Sequence, residues 1–77
     1  MTCASLEKRS LTIQGHRTSV ALEPAFWAVL DAEAARQGMA TSALVAAIDE
    51  VRAIPLARAL RLFALEAALR AGGGGAR

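Results

Sequence analysis

Apolar and polar residues alternate with a period of two through Arg17-Thr18-Ser19-Val20-Ala21-Leu22, putting Thr18, Val20 and Leu22 on one face and Arg17, Ser19 and Ala21 on the other. The pattern predicts a short strand over about 16–22 with one buried side. Directly downstream the period becomes helical. Phe26, Trp27, Leu30 and Ala34 form a stripe while Asp31, Glu33 and Arg36 point elsewhere, so a first helix is expected over about 24–37. Pro24 suits its first position, where the missing N–H would be unpaired anyway. Glu23 adds negative charge near the positive end of the helix dipole, and Gly38 is the expected stop. Leu44, Val45, Ile48 and Val51 repeat the helical spacing, which predicts a second helix over about 41–53, capped by Thr41 or Ser42.

The flanks are less regular. Residues 1–8 have no periodicity and read as a flexible arm. Arg9 to Ile13 alternates again, with Leu11 and Ile13 on one side and Ser10 and Thr12 on the other. Gln14-Gly15 admits either a two-residue hairpin turn, with glycine supplying a positive φ, or a bulge in one longer strand. On the far side Ile54-Pro55 breaks the second helix. Leu56 to Ala71 has excellent helix propensity and two apolar stripes, Leu56, Leu60, Phe63 and Ala67 on one face and Leu62, Leu65 and Leu69 roughly opposite. The first stripe covers a core, whereas the second needs a partner. The glycines from Gly72 to Gly75 predict a disordered tail over 72–77.

A chain of 77 residues is one domain and buries little core alone, yet 55% of it is hydrophobic. Dimerisation resolves the mismatch, most simply by pairing strand 16–22 with the same strand of a second copy. The chain has no apolar run of membrane-spanning length, and its first nine residues lack the order of a signal peptide. The single Cys3 forms no internal disulfide, which suits a reducing cytoplasm. The formal net charge of +2 hides a segregation. Lys8, Arg9 and Arg17 face Glu7 near the start, while Glu23, Asp31, Glu33, Asp49 and Glu50 face Arg36 in the middle. Five arginines then face Glu66 from Arg52 onward. A basic ribbon on an acidic helical body is the expected result, and such a ribbon suits a phosphate-lined groove.

The string GHRTS-x-x-LEP-x-FW, from Gly15 to Trp27, followed by Gly38, Thr41-Ser42 and the stripe Leu44, Val45, Ile48, resembles the ribbon-helix-helix (MetJ/Arc-like) DNA-binding family. The longer match, KRSLTIQGHRTSVALEPAFWAVL in front and LARALRLFAL behind, is similar to a subfamily of small stand-alone bacterial members and covers about residues 8–65. The resemblance implies a mainly α fold with a short β-ribbon, in an intertwined homodimer with intermolecular antiparallel strands and an additional C-terminal helix. Its core is expected over 9–53, with Val20, Leu22, Phe26, Trp27, Leu30, Leu44, Val45 and Ile48 as dimer core. It implies that the dimer lays its ribbon into the major groove of double-stranded DNA. Such a protein is expected to be a nucleoid-associated transcriptional repressor, with pairing of dimers into tetramers left open. The alternative is a protein-interaction or antitoxin-like module working through Leu62, Leu65 and Leu69.

With Val20 and Leu22 inward, Arg17, Ser19 and Ala21 are the candidate base contacts. Arginine donates two bonds to guanine, serine suits either base type, and alanine touches only a thymine methyl. Ala21 departs from the family pattern, which has polar residues at all three outward positions. Ala40, Thr41 and Ser42 are candidate phosphate contacts, because the first N–H groups of a helix are unpaired and the dipole is positive there. Lys8, Arg9 and His16 are further phosphate candidates. No enzyme chemistry is expected, since the one histidine has no evident nucleophile with a positioned base. One His and one Cys complete no metal site, and no cofactor is called for.

Overall fold

The computed structural model describes residues 5–76, and their side chains as far as Ala71. Two strands, β1 (Glu7–Ile13) and β2 (His16–Leu22), precede three helices, α1 (Pro24–Arg36), α2 (Thr41–Val51) and α3 (Leu56–Ala76). The architecture is that of a ribbon-helix-helix unit with a third helix. Cys3 and the first half of the expected arm lie outside the described residues, while Glu7 and Lys8 belong to β1. The backbone of α3 is helical to Ala76, past the stop expected at Gly72.

The alternative left open at Gln14-Gly15 resolves to a hairpin. Gln14 has φ 52° and Gly15 φ 83°, the positive pair that a tight two-residue connection needs to match strand twist. β1 and β2 therefore pair antiparallel within the chain, from Ile13 opposite His16 to Glu7 opposite Leu22. Strand 16–22 thus has a partner within its own chain. Ile13, Val20 and Leu22 are buried beneath the hairpin, with Leu11 packed beside them.

Glu23 is the N-cap of α1, but its carboxylate does not cap. It accepts from Arg61 on α3 instead, at 2.9 and 3.3 Å. The helix ends in a reciprocal pair of backbone bonds, from Met39 N–H to Ala34 and from Gly38 N–H to Ala35, with Gly38 at φ 71°. Met39 packs against the core at this turn. α2 begins after Ala40, with no side-chain cap, so the expected capping by Thr41 or Ser42 is not made. Thr41 donates its hydroxyl to Asp31 at 2.7 Å.

The core gathers Trp27, Leu30 and Ala34 of α1, Leu44, Val45 and Ile48 of α2, and Leu60, Ala64 and Ala67 of α3 under the hairpin. Seven of the eight residues expected in a dimer core are thus buried within one chain, and Phe26 is half-buried against them. Val51 is a correction. Placed in the buried stripe of α2, it is 81% exposed, because α2 ends there and Arg52 to Pro55 turns the chain away. On α3 the stripe with Leu60 faces inward as expected, and Leu62, Leu65 and Leu69 remain 48%, 50% and 63% exposed.

Glu33 is the one buried charged residue among those described. It accepts from Arg36 Nε and Nη2 and from Gln37 Nε2, and this cluster pulls its pKa down to about 2, Arg36 contributing most. A depressed carboxyl pKa stabilises the fold above the unfolded value of about 4.3 and ceases to do so as pH falls towards the folded value. Glu33→Gln should therefore lose less stability than the parent chain between these two limits, read as urea midpoints at successive pH values. Equal losses would rule out Glu33 as a source of the acid sensitivity. Gly38→Ala meets no atom within 4 Å of the added carbon, so its cost is the backbone conformation alone. A loss of about 1 kcal/mol is expected. Calorimetry should then show a Tm lower by about 4–8 °C.

Candidate nucleic-acid interface

The register of the hairpin sorts its side chains into two sets. Directly opposed residues share a face, so Glu7, Arg9, Leu11 and Ile13 lie on the helical side with Leu22, Val20, Thr18 and His16. Lys8, Ser10 and Thr12 lie on the outward side opposite Ala21, Ser19 and Arg17. Burial follows this division. Lys8, Ser10, Thr12, Arg17 and Ser19 are exposed and Ala21 is half-buried. The outward placement of Arg17, Ser19 and Ala21 agrees with the alternation of β2. Ser10 and Thr12 share this face, which their alternation alone does not reveal, because only the turn at Gln14-Gly15 fixes which face of β1 accompanies which face of β2.

Electrostatics sharpens the contrast. The outward face has two cations, Lys8 and Arg17, and no acid. Among the described residues the ion pairs take up Arg9, Arg36, Arg52 and Arg61, and neither outward cation is in one. The inward face is different. Arg9 grips Asp31 with both terminal nitrogens, at 2.9 and 3.0 Å, and donates Nε to Glu7 at 2.9 Å. Its guanidinium also lies over the Trp27 ring, 4.5 Å from the centroid, a cation–π arrangement. The fork of Arg9, one of the expected phosphate contacts, is thus occupied beneath the hairpin and not on the outward face. His16 is exposed, but it sits at the turn on the inward side, opposite Ile13.

The start of α2 is tied to this inward cluster. Asp31 Oδ1 accepts from both Arg9 Nη1 and the Thr41 hydroxyl, so one carboxylate joins β1, α1 and the first residue of α2. Both contacts hold the Asp31 carboxyl below its ordinary pKa, Arg9 having the larger effect, and the same pairing raises that of Arg9. Ala40 is exposed and Thr41 and Ser42 are half-buried. Ala43 and Leu44 donate their N–H groups to the Ala40 carbonyl. The N–H groups of Thr41 and Ser42 precede these bonds and are the helix positions that have no carbonyl of their own helix to donate to.

Among the described residues no group of His, Cys, Asp and Glu is arranged to hold a metal ion. No described helix is long and apolar enough to cross a membrane.

Comparison with known proteins agrees with this architecture. A search of curated proteins returns no match. A solved structure, that of an uncharacterized protein from Bordetella pertussis Tohama I, is similar, with a TM-score of 0.80 and 35% identity over 92% of this chain. This chain spans 62% of that neighbour's length. The family model of the ribbon-helix-helix domain matches residues 6–68, from just before β1 to within α3. That family is one of DNA-binding regulators rather than enzymes. By a match over most of its length, the chain belongs to the ribbon-helix-helix domain family.

Proposed function

We propose that the protein binds double-stranded DNA sequence-selectively as a homodimer, with the outward face of its hairpin in the major groove, and acts as a transcriptional repressor. The observation that carries this reading is the outward face itself. It presents hydroxyls and two cations outside the ion pairs, with no carboxylate to repel a phosphate. Arg17 is the principal base reader, with Ser19 and Ala21 beside it, and the N–H groups at Thr41 and Ser42, following Ala40, hold the flanking backbone.

Dimerisation is supported by what one chain leaves uncovered. Val51 and Leu62, both exposed, line a groove between α2 and α3 together with Leu44, Ile48 and Phe63. An apolar groove of this kind in so small a chain is costly to leave in water, and a second copy removes it.

A second reading rests on a separate observation. Leu65 and Leu69 continue the exposed stripe from Leu62 along α3. A protein partner or a second dimer seated there would make the molecule an antitoxin-like or scaffold module. Replacing Leu65 and Leu69 by Gln tests it by light scattering. An unchanged dimer with unchanged DNA affinity argues against any need for a partner on this stripe, whereas loss of a larger assembly supports one.

The DNA reading is tested by selection from a random duplex library, run beside Arg17→Ala. The variant should remain a dimer and discriminate at the guanine position of each half-site about 5- to 150-fold less well, the worth of one bidentate arginine–guanine contact per half-site. Undiminished site preference in a stable Arg17→Ala dimer would sink the assignment.

A further inference from the structure

The two strands of the hairpin differ in a way that assigns them different tasks. β1 opens with Glu7, Lys8 and Arg9 in succession, and two of these charges point inward. β2 has only Arg17 as a full charge, and its second half is Val20, Ala21 and Leu22. Edge strands that must stay unpaired are protected by charges, inward-pointing ones included, whereas a strand that pairs is free of them. β1 therefore has the character of a permanent outer edge and β2 that of the strand left open for pairing.

We infer that β1 is the phosphate-gripping strand of the DNA-binding ribbon, with Lys8, Ser10 and Thr12 contacting the backbone while β2 alone reads bases. The inference rests on the dimeric DNA reading above. Joining the open β2 edges of two copies gives the strand order β1, β2, β2 of the partner, β1 of the partner. With strands about 4.8 Å apart, each β2 runs about 2.4 Å and each β1 about 7 Å from the two-fold axis. A major groove about 12 Å wide has its walls at about 6 Å from that axis. The central pair then faces base edges, and the outer strands lie over the phosphate-lined walls. Their outward chemistry fits that position, because an ammonium and two hydroxyls all donate to phosphate oxygens. The register adds a detail at Ala21, whose neighbour across the pair is Lys8. The weakest position for base reading lies beside the strongest for backbone grip.

The test uses the full chain in three forms, parent, Lys8→Ala and the double variant Ser10→Ala with Thr12→Val, on a mixed-sequence duplex and on the duplex pool selected by the parent. All three positions are exposed, so circular dichroism should show an unchanged fold. Each phosphate neutralised by a cationic side chain contributes about 0.9 to the slope of log affinity against log salt, so Lys8→Ala, which removes two such cations per dimer, should make that slope shallower by about 2. Affinity should fall by the same factor on both duplexes, and reselection with Lys8→Ala should return the parent's preferred sequence. The double variant should weaken binding to both duplexes equally with the slope kept. A parental salt slope in Lys8→Ala, or a different selected sequence in either variant, overturns the assignment. Failure of the parent itself to bind duplex DNA overturns the DNA reading and this division of labour with it, and is distinguishable because the variants then have nothing to lose.

Discussion

A two-stranded hairpin is at best marginal in water by itself, so whatever its outward face does depends on how its inward face is anchored. Here the anchor is Arg9. Its fork holds Asp31 of α1, its Nε reaches Glu7 on its own strand, and its plane covers Trp27. Trp27 in turn donates its indole N–H to the Glu7 carbonyl at 2.7 Å, so the first residue of β1 is bonded from both sides. The Arg9 side chain is 30% and that of Asp31 43% exposed, so the ion pair is moderated by solvent. Its contribution is directional more than energetic. Planar, bidentate contacts fix the angle at which the hairpin lies on the helices.

The same carboxylate extends the anchor to α2 through the Thr41 hydroxyl. The hairpin and the start of α2, the two regions offered to DNA in the proposed reading, are therefore held by one side chain of α1. On the opposite flank Glu23 and Arg61 tie the junction of β2 and α1 to α3. Ion pairing thus consumes the charges that hold the fold and leaves Lys8 and Arg17 on the outward face. The segregation of charge along the sequence becomes, in three dimensions, a separation between ion pairs that tie the elements together and an outward hairpin face whose two cations lie outside those pairs.

Much of the fold was legible in the sequence because its signals are local. Alternation through β2, Pro24 at the start of α1, Gly38 at its end and Pro55 between α2 and α3 each act within a few residues of where they stand. Errors arose where a distant partner decides. Arg9 looked like a surface cation until Asp31, Glu7 and Trp27 met it. Thr41 looked like a cap until Asp31 took its hydroxyl. Val51 has the right spacing for burial on α2, but spacing reports a helix face and not what lies opposite it.

The sequence by itself determined the order of elements, the outward placement of Arg17, Ser19 and Ala21, and the existence of an unclaimed apolar stripe on α3. These follow from backbone periodicities and from side chains too apolar to leave in water. Tertiary structure alone decided that β1 folds back on β2 to add Lys8, Ser10 and Thr12 to the outward face, and which cations remain available there. The first is decided by the backbone conformation of one turn, and the second by pairing between residues far apart in the chain. The turn at Gln14-Gly15 sets the first through two positive φ angles, and the geometry of the arginine fork against Asp31 sets the second.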